Sequence, residues 1–119
     1  MSTDWTTEPA GAALDRHIAE LLGWTDVKEM GEGLVGTRPD GTTWMLVPRY
    51  SADLRDTLTL PLRNEAKLEI TIYGDGSVGV DLTPNSGGRY HEGADDVTGL
   101  ALAACRAWER WYVARQVAT

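Results

Sequence analysis

The sequence predicts an α+β domain in which helices pack on an antiparallel four-stranded sheet built from two hairpins. Two stretches alternate apolar and polar residues on either side of a glycine-containing turn, and residues with helical apolar spacing precede, separate and follow them. The 119 residues, 42% of them hydrophobic, suffice for one core of modest size. The predicted order is α-β-β-α-β-β-α, with residues 1–9 as a flexible lead and residues 10–119 as a single domain.

Apolar residues spaced three and four apart predict the helices. The first spans residues 10–23 and ends at a glycine, which suits a helix C-terminus. The second spans about residues 51–60 and is stopped by the following proline. The third spans about residues 95–116 and carries the widest apolar face. The caps predicted for the second and third helices are Ser51 and either Asp95 or Asp96.

The two hairpins are predicted from their turns and their alternation. A Pro-Asp-Gly turn separates strands near 33–38 and 42–47, because proline presets φ and glycine tolerates a positive φ. A Gly-Asp-Gly turn separates the alternating stretches 68–72 and 78–82. This second hairpin would bury one face and leave the other in water.

The net charge of −7 restricts the classes of partner. Non-specific binding to nucleic acid or to an anionic membrane needs a basic surface, whereas a small anionic ligand needs only a few local cations. No apolar run approaches the roughly 20 residues of a membrane span, and no basic-then-apolar secretion signal opens the chain. The sequence therefore predicts a soluble, cytoplasmic protein that binds neither membranes nor nucleic acid non-specifically.

Few side chains suit catalysis or metal binding. Cys105 is the single cysteine and falls in a helical apolar pattern, so we expect a buried thiol and no internal disulfide. With His17 and His91 as the two histidines, no zinc cluster of the usual kind can form. His91 beside neighbouring acids is conceivable as an acid–base group, although one histidine near acids is common by chance. No metal, cofactor or catalytic residue is predicted.

The stretch WMLVPRYSADLR, residues 44–55, is the first candidate ligand site. Trp44 offers an indole that can stack on a planar ligand, and Arg49 can bind an anionic group. Tyr50 can stack or donate a hydrogen bond, and Ser51 can offer its hydroxyl beside helix N-terminal amides. The structural alternative is that Tyr50 packs and Ser51 caps the helix, which leaves Arg49 the least explained of these residues.

The stretch NSGGRYHEGADD, residues 85–96, is the second candidate ligand site. Its glycines let the backbone approach a ligand closely, and Arg89 can pair with phosphate. Tyr90 and His91 can stack on a base. The two acids that end the stretch would repel an anion, and no Gly-Lys-Ser/Thr of a P-loop follows. The alternative is a mobile connection between strand and helix.

The last helix carries more aromatic bulk than a small core requires. Trp108, Trp111 and Tyr112 lie within RAWERWYVAR, and some of these rings can be buried between subunits. We therefore expect a homo-oligomer, in which sites between subunits would let Arg49 and Arg89 meet one anion. The alternative is that all three rings pack within the monomer.

Three further motifs stand out: IAELLGW at a helix end, VPRYSADL from a strand into a helix, and ADDVTGLALAACRAWERW in an alanine-rich last helix. Together they resemble the motifs of the phage ABA sandwich domain family. The match covers about residues 12–116, and its most specific part is Pro48, Tyr50, Ser51 and Asp53. The resemblance implies a phage or prophage origin and an α+β sandwich, and it implies no catalytic mechanism.

The phage resemblance also suggests a biological setting. Small phage proteins often act against host defence, and one strategy is to sequester nucleotide-derived immune signals. By this analogy the chain would be a non-enzymatic protein that binds a small, anionic, nucleotide-like signal in the cytoplasm of an infected bacterium. The alternative is an acidic protein–protein inhibitor of a host defence effector, which the net charge of −7 favours.

Overall fold

Two three-stranded antiparallel sheets and three α-helices make up the computed structural model, which describes residues 5, 7–31 and 33–117. The α+β class is confirmed, but the single four-stranded sheet is wrong, because each predicted hairpin has a third strand beside it. The elements in chain order are α1 (Ala12–Leu21), β1 (Thr25–Met30), β2 (Gly33–Thr37), β3 (Met45–Leu46), α2 (Leu54–Thr57), β4 (Ala66–Ile72), β5 (Val78–Pro84), β6 (Tyr90–Ala94), a 3-10 helix (Val97–Gly99) and α3 (Leu100–Val117).

The first sheet has the order β1-β2-β3. The predicted hairpin is present as β2 and β3, but β3 has only two residues, because Trp44 before it takes a φ of +59°, outside the extended range. The Arg38 amide closes the turn by donating to the Thr42 carbonyl at 2.8 Å. β1 was not predicted, since its residues TDVKEM show no apolar alternation and all but Val27 are exposed.

The second sheet has the order β4-β5-β6. β4 and β5 form the second predicted hairpin, with Leu68 paired to Leu82. The loop predicted over residues 85–96 is wrong in its second half, because Tyr90–Ala94 forms a strand on the other side of β5. An edge strand with one face in water can form from largely polar residues, since backbone pairing with its neighbour holds it.

The second helix begins later and is shorter than predicted. Asp53, not Ser51, is the N-cap of α2, and its carboxylate accepts a hydrogen bond from the Arg55 amide at 3.0 Å. The helix ends at Thr57 rather than near Leu60. Ser51 does not cap α2, because its amide and hydroxyl donate hydrogen bonds to the buried Asp15 carboxylate on α1.

The last helix follows the prediction more closely. Asp96 caps the 3-10 turn and accepts a hydrogen bond from the Thr98 amide at 2.9 Å, which confirms one of the two predicted caps. α3 then packs across β5 and β6. Trp108, Trp111 and Tyr112 are all buried within the monomer, so the aromatic argument for a homo-oligomer no longer applies.

One hydrophobic core joins both sheets to the helices. Side chains from α1, β2, β5 and α3 meet in it. The Trp108 indole nitrogen donates to the Pro61 carbonyl at 2.9 Å, which satisfies the one polar atom of this buried ring. The most fully buried large side chains are Leu14, Ile18, Val80, Leu82, Cys105 and Trp108.

Part of the predicted N-terminal lead packs on the domain. The Trp5 indole stacks on the His17 ring with centroids 4.0 Å apart. The Arg106 guanidinium donates to the Glu8 carbonyl at 2.8 Å. Residues 1–4 and 6 of the lead lie outside the described residues.

Candidate functional site

A groove on the first sheet lies beside Trp44. β1 and β2 pair irregularly between Thr25 and Lys28, so β1 bulges there and Asp26 takes a φ of +54°. Gly36 lets the bulge approach β2, since a Cβ added to it would lie 3.0 Å from a side-chain carbon on β1. The bulge and the residues before β3 enclose a groove of about 370 Å³.

Trp44 presents its indole to solvent at this groove. The side chain is 64% exposed, whereas the other four tryptophans are at least partly buried. The Lys28 ammonium lies 4.6 Å from the centroid of the indole ring, a cation–π distance. A bulky residue at positive φ costs roughly 1–3 kcal/mol, and such strain is concentrated at ligand sites. Exposure and backbone strain together make Trp44 a candidate ligand-binding residue.

The groove can hold a flat ring that carries an anionic group. The indole face suits ring stacking, and the Lys28 ammonium suits a phosphate or carboxylate. Asp26, Thr37 and Thr43 also line the groove and can bond ligand hydroxyls. Its volume of about 370 Å³ lies at the small end of ligand pockets. Lys28 and Asp26 were missed by sequence reasoning, because β1 was not predicted and no local pattern marks them.

Tyr50 and Ser51, both predicted as ligand groups, are buried. Asp15 Oδ1 accepts hydrogen bonds from the Ser51 amide at 2.8 Å and from its hydroxyl at 2.7 Å. Ser51 Oγ in turn accepts a hydrogen bond from the Gly11 amide at 3.0 Å. Burial raises the pKa of the Asp15 carboxyl, partly offset by the bonds from Ser51, and burial raises the pKa of Tyr50 to about 12. These contacts tie the start of α1 to the segment before α2.

Arg49 lines a second and larger groove. This groove has a volume of about 940 Å³, lies between α1, the first sheet and the α2 segment, and is also lined by Asp15, Glu29, Asp53 and Asp56. The Arg49 amide donates to Asp56 Oδ2 at 2.8 Å, and its guanidinium has no ion pair within the described part of the chain. The excess of carboxylates makes the groove negative, so it suits a cationic group better than the anion predicted for Arg49.

Arg89 and His91 lie on the outer face of the second sheet. Asp81 Oδ1 is 2.8 Å from His91 Nδ1 and 3.4 Å from Arg89 Nε. The carboxylate therefore already balances positive charge on this face. Sequence reasoning considered the acids next to His91 in the chain, whereas its partner comes from β5 through the pairing of Asp81 with His91. Prediction of β6 as a third strand beside the hairpin would have placed Asp81 opposite His91.

Tyr90 lies on the opposite face of the sheet, because successive side chains of a strand alternate. The Arg110 guanidinium carbon is 5.5 Å from the centroid of its ring. Tyr90 borders a cleft of about 540 Å³ together with Trp111, Arg115 and the glycine turn before β6. Arg115 pairs there with Glu65, with 2.9 Å between Nη2 and Oε1. The three consecutive residues of the second predicted site are thus divided between two faces.

The remaining titratable groups have little of the geometry that catalysis requires. Within residues 5, 7–31 and 33–117, no three His, Cys, Asp or Glu side chains are placed to hold a metal ion. Burial raises the pKa of the Cys105 thiol to about 12, so little thiolate exists at neutral pH. The contact of His91 with Asp81 could orient a base, but about half of the His91 side chain is exposed, so water is not excluded there.

No protein-family model, curated protein or solved structure matches this chain. The resemblance to the phage family therefore rests on the three sequence motifs and stays a prediction. In the described ranges no helix is long and apolar enough to cross a membrane.

Proposed function

We propose that this protein is a phage-encoded, non-enzymatic binding protein that sequesters a nucleotide-derived signal of host defence. The observation that carries the proposal is the exposed Trp44 indole at the groove of the first sheet, with the Lys28 ammonium 4.6 Å from its ring centroid. The indole would stack on the base, the ammonium would meet a phosphate, and Asp26 would accept hydrogen bonds from ribose hydroxyls. The phage-like motifs support the defence setting, in the cytoplasm of the infected bacterium.

The side chains of the Trp44 groove favour binding over chemistry. No histidine or cysteine lines this groove, and these are the side chains that most readily exchange protons or act as nucleophiles near neutral pH. An ammonium, a carboxylate and threonine hydroxyls suffice to orient a nucleotide. A protein with such a site would lower the free concentration of a signal by holding it intact.

Titration with nucleotides tests the proposal directly. A panel of cyclic mononucleotides, cyclic dinucleotides and ADP-ribose-type nucleotides would be added while tryptophan emission and heat of binding are recorded. Stacking on the solvent-exposed indole should quench the long-wavelength part of the emission. We expect at least one member to bind, and Trp44→Ala to lose binding in calorimetry. Removal of one charged contact in Lys28→Ala should weaken binding about tenfold.

Matched variants separate this site from other surfaces. Leu46 is 73% exposed and lies on the same face of the sheet as Lys28, so Leu46→Ala should bind like the wild type. Arg49→Ala and Arg89→Ala should also bind normally, because neither arginine lines the groove. Unchanged binding by Trp44→Ala, or a panel with no ligand, would refute the proposed function.

A second function, inhibition of a basic host protein, is favoured by the groove around Arg49. Among the residues that the structure describes, four carboxylates line it beside one guanidinium. The net charge of −7 adds long-range attraction for a cationic partner. A basic segment of a host effector would fit the chemistry of this groove.

An arginine-rich model peptide tests this second function. Glu29→Gln should weaken peptide binding, and added salt should weaken it further, because the attraction is electrostatic. Glu20→Gln is the matched control, since Glu20 is an exposed acid outside the groove. Equal losses in the two variants would show general charge attraction and would count against a specific groove.

A further inference from the structure

The outer edge of β4 has no partner strand within the described chain. The order β4-β5-β6 leaves β4 paired on one side only. At the hairpin turn the Tyr73 amide donates to the Ser77 carbonyl at 2.9 Å, so backbone groups of odd-numbered residues face β5. The amides and carbonyls of Ala66, Leu68 and Ile70 therefore face outward. Such a row of free donors and acceptors can accept another strand.

Exposed apolar side chains accompany this edge. Ile72 is 64% exposed and Leu58, after α2, is 55% exposed. Leu68 and Ile70 line an apolar cleft of about 240 Å³ between the α2 segment, β4 and α3. A strand added to β4 would cover the mouth of this cleft and remove apolar surface from water.

The sequence of β4 complements itself in one antiparallel register. With a two-fold axis at Leu68, this residue faces Leu68 of the partner subunit, and Ala66 faces Ile70 of the partner subunit. On the other face, Lys67 then lies opposite Glu69 of the partner subunit, and symmetry repeats the pair. An axis at Glu69 would instead set two glutamates opposite each other. An axis at Ile70 would create no ion pair.

We propose that β4 pairs with β4 of a second copy of this chain, with the two-fold axis at Leu68. Charge complementarity identifies the occupant, because an unrelated strand need not present an acid to Lys67 and a base to Glu69. Within one strand the Lys67 ammonium pairs with the Glu69 carboxylate, with 3.4 Å between Nζ and Oε1. Both side chains are more than half exposed, so each can turn from this partner to the opposite charge across the axis. The interface uses no residue of the Trp44 groove and stands independently of the proposed function.

Sedimentation equilibrium over a wide range of protein concentration tests the dimer. The wild type should dimerise reversibly. Lys67→Glu and Glu69→Lys each place like charges opposite each other twice, so each should raise the dimer dissociation constant about tenfold or more. The double variant Lys67→Glu/Glu69→Lys restores both opposite-charge pairs and should recover the wild-type constant.

The control variant is Arg38→Glu, which makes the same charge change on an exposed residue at the turn of the first hairpin and should leave dimerisation unaltered. Circular dichroism would confirm that every variant is folded. A protein that stays monomeric at all concentrations overturns the proposal, even if its β4 edge captures a strand from another protein. A dimer dissociation constant that the single changes leave unaltered would place the interface elsewhere and overturn the proposal. Failure of the double variant to recover the wild-type constant would overturn it as well.

Discussion

At the scale of single residues, burial decides how much a hydrogen bond contributes. Ser51 and Ser77 each donate a hydroxyl to an aspartate Oδ1 at 2.7 Å, the first in the core and the second in an exposed turn. Water can replace the partner of the exposed pair but not that of the buried pair. The same contact therefore has two different energetic weights in this protein.

Replacement of the two serines measures this difference. Ser51→Ala removes the hydroxyl that donates to the buried Asp15 carboxylate. This loss should lower the free energy of unfolding by about 1–3 kcal/mol. Ser77→Ala should change it by less than about 0.5 kcal/mol. Urea unfolding of both variants gives the comparison, and equal losses would contradict the role assigned to Ser51.

The pH dependence of stability provides a second prediction at this scale. Burial raises the pKa of Asp15 above 3.8, so the folded state binds this proton more tightly than the unfolded state. The contribution of Asp15 to the free energy of unfolding therefore grows as pH falls from the raised pKa toward 3.8. We expect the wild type to gain stability relative to Asp15→Asn across that window, and the difference to be constant above it.

Asp75 supplies a control of opposite sign. Hydrogen bonds from Ser77 lower the pKa of this exposed carboxyl below 3.8. The wild type should therefore lose stability relative to Asp75→Asn as pH falls below 3.8. Urea unfolding of both variants and the wild type across the acid range measures the two trends, and trends of the same sign would refute the assignment for Asp15.

At the scale of elements, the junction between β6 and α3 depends on a close approach. A Cβ added to Gly99 would lie 2.7 Å from Ala94 Cβ, closer than the two carbons can approach. Glycine therefore lets the chain leave β6 and enter the last helix without a break in packing. The contact between Gly99 and Ala94 lies at the end of β6, the strand that was not predicted from the sequence.

Substitution of this glycine tests the junction. Gly99→Ala should lower the free energy of unfolding by about 1–3 kcal/mol, because strand and helix must move apart. Gly74→Ala is the matched control, since an added Cβ there meets nothing within 4 Å and neither glycine has a positive φ. Thermal unfolding measures both variants. A Gly99→Ala protein as stable as the control would show that the junction yields without cost.

At the scale of the whole molecule, the shared core makes the two sheets one cooperative unit. Leu34 of the first sheet belongs to the same buried cluster as Leu82 of the second sheet and Trp108 of the last helix. A loss of packing in one sheet is therefore expected to weaken the other. The two grooves and the β4 edge then lie on a scaffold that folds and unfolds together.

Truncation of a buried side chain in the first sheet tests this cooperativity. Leu34→Ala would create a cavity there and should lower the free energy of unfolding by about 2–5 kcal/mol. Two buried tryptophans, Trp108 and Trp111, lie in α3 on the second sheet, so tryptophan emission reports in part on that sheet. Its transition should still coincide with that of the circular dichroism. Leu46→Ala, at an exposed position of the same sheet, should change stability by less than about 0.5 kcal/mol. Separate transitions for the two probes would show that the sheets unfold independently.

The features that the sequence determined by itself depend on residues near one another in the chain. The β4–β5 hairpin, a cap at Asp95 or Asp96, the apolar face of the last helix and the burial of Cys105 each follow from local spacing or turn chemistry, and the structure selects Asp96 as the cap. Such patterns arise because a helix or hairpin must bury one face, and the period of its apolar residues records that requirement.

The features that only the tertiary structure decided involve distant residues. β1 and β6 are held by backbone pairing with a neighbouring strand, which leaves no apolar alternation to read. Ser51 is not the cap of α2 that the sequence predicted, because it donates its hydrogen bonds to Asp15, 36 positions away. The Trp44 groove likewise depends on a bulge that brings Lys28 over the indole. Long-range packing creates these contacts, so no local pattern could have located the candidate site beyond Trp44 itself.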